Sequence, residues 1–274
     1  MMLLNEAKVT PTETFYAPFN NKDLDMAPIL IAERQDGLLT LTLNRPDKRN
    51  ALNTELYRQL VSELQQAAAD EGVHVLLLQG QAECFTAGND LADFVGKSSL
   101  EQDDPILQFL HTLADFPKPV IAAVGGPAVG IGTTILLHCD LVYLGENARL
   151  QLPFVELGLV PEFASSLLLP RAVGHLKATE LLLLAESMDA HEALRLGLAN
   201  RVVASADLLA FAREQGLKLA AKPPRAVQKS KALLKQELKQ AVHFVIDLEA
   251  RAFAQALLGE EAQQRIAARL GRKG

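Results

Sequence analysis

At 274 residues the chain is long enough for one large domain, or one domain with an appendage, around a full core. Its hydrophobic content of 49% is spread without an apolar run of about 18 residues, which excludes membrane-spanning helices, and a formal charge of −6 disfavours nucleic acid or an acidic membrane surface as the main partner. Cys84 and Cys139 have no C-x-x-C spacing and read as reduced thiols of a cytoplasmic protein, and six histidines without ligand spacing predict no metal site. The first residues hold neither a basic n-region nor an apolar h-region, so no signal peptide is expected.

Residues 1–27 hold few aliphatics and several Pro, Asn and Thr, and are expected to form an arm without a core of its own. From Pro28 the pattern changes. Residues 29–32 and 38–43 are strand-like around the turn Arg34-Gln35-Asp36-Gly37, which predicts a hairpin. A polar loop follows, and Asn53 or Thr54 can cap a helix whose Leu56, Leu60, Leu64 and Ala68 share a face. Residues 73–78 read as a strand covered on both faces. Then come a glycine-bearing turn at Phe85-Thr86-Ala87-Gly88-Asn89-Asp90, a solvated helix start at Glu101-Gln102-Asp103-Asp104, a helix near 107–113 and a strand at 120–124. Strand and helix alternate, so the class is α/β with crossover units. Beyond residue 144 strands become sparse. Helical patterns dominate from about Gly174, the last long one with Val242, Ile246, Glu249 and Phe253 on a single stripe.

The run Gly125-Gly126-Pro127-Ala128-Val129-Gly130-Ile131-Gly132-Thr133-Thr134 lies between the strand at 120–124 and a helix start expected at 135–138. A strand, a small-residue turn and a helix start point free N–H groups and the positive end of the helix dipole at a bound oxygen. A P-loop is excluded because Ile131 stands where its lysine must be, and a dinucleotide fingerprint because the third glycine is missing. Two readings remain: a site for an anion or developing oxyanion, and close backbone packing alone.

Four segments together resemble the crotonase superfamily, the enoyl-CoA hydratase and isomerase fold. They are Leu43-Asn44-Arg45-Pro46-Asp47-Lys48-Arg49-Asn50-Ala51-Leu52-Asn53, Phe85-Thr86-Ala87-Gly88-Asn89-Asp90-Leu91, the stretch from Pro119 to Asp140 with its glycine run, and the stretch from Met188 to Val203. The resemblance implies an α/β spiral of βαβ-type turns followed by a C-terminal helical trimerisation region. It divides the chain into the arm, an acyl-CoA-binding core at 28–203 and a helical region at 204–274. It also implies a homotrimer or dimer of trimers, with acyl-CoA as the small-molecule partner and no cofactor beyond the CoA that the substrate carries.

By the same resemblance the N–H groups of Asn89 and Ile131 form an oxyanion hole for the thioester, and the Ile131 side chain is expected to narrow the pocket beside it. Hydratases of the superfamily hold two glutamates where this chain has Thr134 and Phe154, and neither can deprotonate water as a carboxylate does. Hydration is therefore disfavoured. The segment Leu157-Gly158-Leu159-Val160-Pro161-Glu162-Phe163-Ala164-Ser165-Ser166 resembles that of Δ3,Δ2-enoyl-CoA isomerases of the peroxisomal type, whose single acid–base group corresponds to Glu162. Phe154, Leu159, Val160 and Phe163 would surround this carboxyl with apolar surface and raise its pKa. Ser165 and Ser166 would leave room for an acyl chain, and Glu156 is the rival acid.

Lys48, Arg49, Ala51 and Leu52 are expected to meet CoA, with Ala87, Gly88, Asp90, Leu91, Gly130, Thr134 and Phe154 around the substrate. Lys229, Lys231 and Lys235 read as a solvated helix face or as a further phosphate contact. Another enolate reaction on an acyl-CoA, and a non-catalytic acyl-CoA-binding scaffold, remain as alternatives.

Overall fold

A computed structural model describes residues 27–81, 83–95 and 104–271. Apart from Ala27, the expected arm lies outside the described residues, as do residues 101–103. β1 (Leu30–Gln35) and β2 (Leu38–Leu43) form the expected antiparallel hairpin, closed by Asp36 and Gly37 at φ +48° and +82°. α1 (Thr54–Ala69) begins at Asn53, whose side chain accepts from the Leu56 amide at 3.0 Å. Its buried stripe ends on Ala67, while the expected Ala68 is half-buried.

β3 (Val75–Gln79), α2 (Pro105–Ala114) and β4 (Val120–Val124) follow, with Asp104 capping α2. The glycine run forms β5 (Pro127–Val129) and α3 (Ile131–Thr134). The helix thus starts four residues before the expected 135–138, which continue it as a 3-10 turn. Gly130 permits this: at φ +56° and ψ −117° it turns the chain within one residue, which a side chain would resist.

β6 (Leu141–Gly145) and β7 (Arg149–Gln151) precede α4 (Ser165–Val173) and α5 (His175–Leu183). The helical part therefore begins before Gly174, which separates these two helices at φ +83°. β8 (Met188–Asp189), α6 (Ala190–Arg195) and β9 (Arg201–Val203) lead to α7 (Leu208–Ala220), α8 (Pro224–Lys235), α9 (Lys239–Leu258) and α10 (Glu260–Gly271).

The strands form a six-stranded sheet, ordered β1-β2-β3-β4-β6-β9 and parallel except for β1, and a smaller sheet β5-β7-β8. Both faces of the larger sheet are covered. Leu39, Leu41, Leu76, Leu78, Val120 and Val142 face the main core, while Leu38, Val75, Leu77, Ile121 and Tyr143 face Leu208 and Ala212 of α7. That double coverage is why β3 and β4 read as unbroken apolar runs. On the main-core side α1 packs on α2, and α9 packs on α2 and α4 through Ile246, Glu249, Phe253 and Leu257. Among the described residues no helix is long and apolar enough to cross a membrane.

Candidate active site

Two strand-to-helix turns are stitched side by side. The Leu52 amide donates to Gly88 O and the Asp90 amide to Leu52 O, both at 2.8 Å, while the Val129 amide donates to Thr86 O at 3.1 Å. Gly88 is required twice over: its φ is +89°, and a Cβ there would stand 2.6 Å from Val129 O. Among the described residues no acceptor takes the N–H of Asn89 or of Ile131; Asn89 touches the cavity described below, whereas Ile131 is wholly buried.

The loop below is held by residues that sequence reasoning passed over. Asn50 is buried at φ +55° and donates to Phe85 O at 3.1 Å, and Arg45 pairs with Asp90 at 3.1 Å. Tyr57 donates to Asn89 Oδ1 at 2.6 Å, and burial, followed by the Glu162 charge, raises its phenol so that it stays a donor.

Glu162 lies at the wall of a cavity of about 370 Å³ that also touches Asn89. The carboxyl is 6% exposed, and burial pushes its pKa up to about 8, with the Glu249 charge adding to the rise and the Thr134 hydrogen bond opposing it. The Thr134 hydroxyl donates to Glu162 Oε1 at 2.5 Å and has a second acceptor, Ile131 O, at 3.3 Å. It can therefore bond the carboxylate and turn away when that oxygen is protonated.

The two residues after Glu162 are left-handed, Phe163 at φ +59° and Ala164 at +54°, a costly conformation for a bulky residue. Phe163 is held there by His138, whose ring stacks on it at 3.7 Å and whose Nε2 lies 2.8 Å from Phe163 O. Burial lowers the His138 pKa to about 3, so the ring is neutral and Nε2 carries the proton that the carbonyl accepts.

Phe154, Leu159 and Phe163 are buried as expected, Val160 is half-buried, and Glu156 is exposed. Thr134 and Phe154 are also buried, the former on Glu162 itself. Ile131 overturns its expectation: the side chain is fully buried in the core and does not line the cavity. Ser165 and Ser166 start α4 and do not line it either. The space runs instead between Ile106, Leu107 and Leu110 of α2 and Ala250, Phe253 and Ala254 of α9.

In the first loop Lys48 and Arg49 are exposed, whereas Ala51 and Leu52 are buried. Ala87, Asp90, Leu91 and Gly130 are half-buried around the two turns, and Asp90 is engaged with Arg45. The lysines of α8 line a separate hollow of about 630 Å³. Lys229 is exposed, but Lys231 is buried, paired with Asp140 at 2.7 Å and donating to Lys118 O at 2.7 Å, while Lys235 donates to His138 O at 2.8 Å. Neither reading made for Lys231, a solvated face or a phosphate contact, survives, because its ammonium is consumed inside the fold.

Sequence reasoning also gave no role to Glu249, although it stood on the apolar stripe of α9. A carboxylate in such a stripe was the available signal. Oε1 accepts from the Ser166 amide at 2.9 Å, and Oε2 is buried without a hydrogen-bond partner.

Comparison with known proteins matches residues 33–269 to the model of a family described as enoyl-CoA hydratase/isomerase. The chain is 38% identical over 245 residues to the 2,3-dehydroadipyl-CoA hydratase of Escherichia coli, covering 89% of this chain and 96% of that protein. It is 33% identical to human enoyl-CoA delta isomerase 2, covering 89% of this chain and 64% of that protein. Among solved structures, Pseudomonas aeruginosa OdaA superposes with a TM-score of 0.87 at 46% identity, covering 89% of this chain and 99% of that one.

Proposed function

The chain belongs to the enoyl-CoA hydratase/isomerase family, with its α/β crotonase fold and its reaction on an acyl-CoA, and on that premise we propose that it is a Δ3,Δ2-enoyl-CoA isomerase with Glu162 as its single acid–base group. The observation that carries this reading is the buried Glu162 carboxyl on an otherwise mostly apolar cavity wall, close to the Asn89 turn. The other acid on that wall, Asp247, is half exposed and bonded to His111 Nε2 at 2.9 Å.

In the reaction, the Glu162 carboxylate takes a proton from C2. The C–H electron pair becomes the C1–C2 π bond and the carbonyl pair moves to the thioester oxygen. That oxygen accepts from the Asn89 and Ile131 amides, each such donor contributing about 3 kcal/mol to the transition state. The same carboxyl then protonates C4; the C3–C4 pair forms the new C–H bond, the C1–C2 pair moves to C2–C3, and the carbonyl re-forms. Apolar walls keep water from the dienolate. A pKa near 8 matches the base to an α-proton acidified by the two amides better than an ordinary carboxylate would. Lys48 and Arg49, exposed beside the buried Ala51 and Leu52, suit the charged and apolar portions of CoA.

Hydration is the second reading, favoured by the 38% identity to the E. coli hydratase. It needs a second carboxylate to hold water, and Thr134 and Phe154 supply none. Ultraviolet absorbance separates the two. An isomerase raises the signal of the conjugated thioester from a 3-enoyl-CoA; a hydratase consumes that of a 2-enoyl-CoA. Glu162→Gln is expected to lose about 10²–10⁴-fold in isomerisation rate. No conjugation from wild type across short and long chains, with loss of 2-enoyl absorbance instead, would replace the isomerase by the hydratase.

A further inference from the structure

We propose that Glu249 is a positioning residue for the Glu162 carboxyl, anchoring the turn that carries it and placing a second buried carboxyl group near it. The proposal rests on the reading of Glu162 as the acid–base group. α4 starts directly after the Glu162 turn and lacks a cap of its own, because its N-cap residue is Ala164, left-handed and without a polar side chain. Glu249, reaching across from α9, supplies the missing acceptor through the Ser166 amide at 2.9 Å. An anion at a helix N-terminus is favoured by the exposed N–H groups and the dipole. The anchor lies four residues after Glu162, with the two left-handed residues in between, so it restrains the very turn that aims the carboxyl.

Glu249 is not among the residues lining the cavity. Its influence on Glu162 is through the backbone and through space. Facing Glu162 are the Thr134 hydroxyl, the Glu249 charge and the Tyr57 phenol, with Asp247 and Arg251 on the far cavity wall and neutral His138 behind Phe163. Of these, Glu249 is the carboxylate that raises Glu162, and its own carboxyl is raised by burial against the restraint of the α4 amides.

The test titrates side-chain carboxyls by 13C NMR in glutamate-labelled full-length protein, with the Glu162 signal assigned by its loss in Glu162→Gln. In Glu249→Gln the amide oxygen can still accept from Ser166 while the charge is gone. The Glu162 midpoint is expected to fall by on the order of one unit, and the acid limb of kcat/KM to move down with it. Glu249→Ala removes the anchor too and is expected to lose on the order of 10²-fold in kcat at little-changed KM, most of which Glu249→Gln retains. An unchanged Glu162 midpoint in Glu249→Gln overturns the proposal, and so does a wild-type kcat in Glu249→Ala. Should the alanine variant fail to fold, the isosteric glutamine variant decides. The NMR titration needs no turnover, so a midpoint that moves in a protein that conjugates no 3-enoyl-CoA supports Glu249 and counts only against the isomerase reading.

Discussion

At the scale of single residues, the role proposed for the Glu162 carboxyl carries expectations for both rate and stability. A base with a pKa near 8 predicts that kcat/KM for isomerisation climbs with pH and levels off above about 8, measured as a pH profile of the conjugation assay. The linkage runs the other way for stability. The folded pKa lies above the unfolded value near 4.5, so this group favours folding fully below that value and loses its contribution as pH rises toward about 8. Glu162→Gln is therefore expected to melt above wild type by a margin that widens from about pH 5 to about pH 8, read by thermal melts across that range. Gly88 makes a second case. A Cβ there would meet Val129 O at 2.6 Å, so Gly88→Ala is expected to lower Tm and to abolish turnover together. Glu162 stood out in the sequence through the resemblance of its contiguous segment to that of isomerases. Glu249 did not, because its partner, the Ser166 amide, is 83 residues away.

At the scale of elements, the helices after β9 hold the site and are not an outer layer. α9 supplies a wall of the cavity and the anchor for α4, and α8 is fastened by Lys231 to the residues just before β4 and just before β6. Burial pushes the Lys231 ammonium down to about 8 even though Asp140 opposes the shift, the mark of a pair that costs much to break. Lys231→Ala leaves Asp140 with the longer Lys235 pair at 3.7 Å and the Val120 amide at 2.7 Å, and is expected to lower unfolding stability by about 2 kcal/mol in urea titrations, with the Kd for CoA thioesters unchanged. Lost affinity at unchanged stability would return this lysine to the phosphate. The 3.6-residue periodicity of α9 was readable, and so was its buried stripe apart from Val242, which is half-buried; which helices that stripe meets was not.

At the scale of the whole molecule, α8 and α9 carry large apolar side chains that nothing among the described residues covers. Leu234 is 85% exposed and Phe244 63%. Exposed aliphatic and aromatic side chains of this size suit an interface, and we propose that copies of this chain meet on these two helices. Leu234→Asp with Phe244→Asp is expected to convert the assembly to monomer by light scattering, while wild type elutes as a trimer or its multiple. The chain by itself determined the α/β class, the hairpin and the two glycine turns. Each of these depends on local periodicity or on residues a few positions apart. Only the tertiary structure decided that Ile131 turns into the core, that Lys231 is held by Asp140, that the cavity lies between α2 and α9, and that Glu249 stands beneath Glu162. Those depend on which distant faces pack together, and a helix or strand encodes only which of its faces is apolar, not what will cover it.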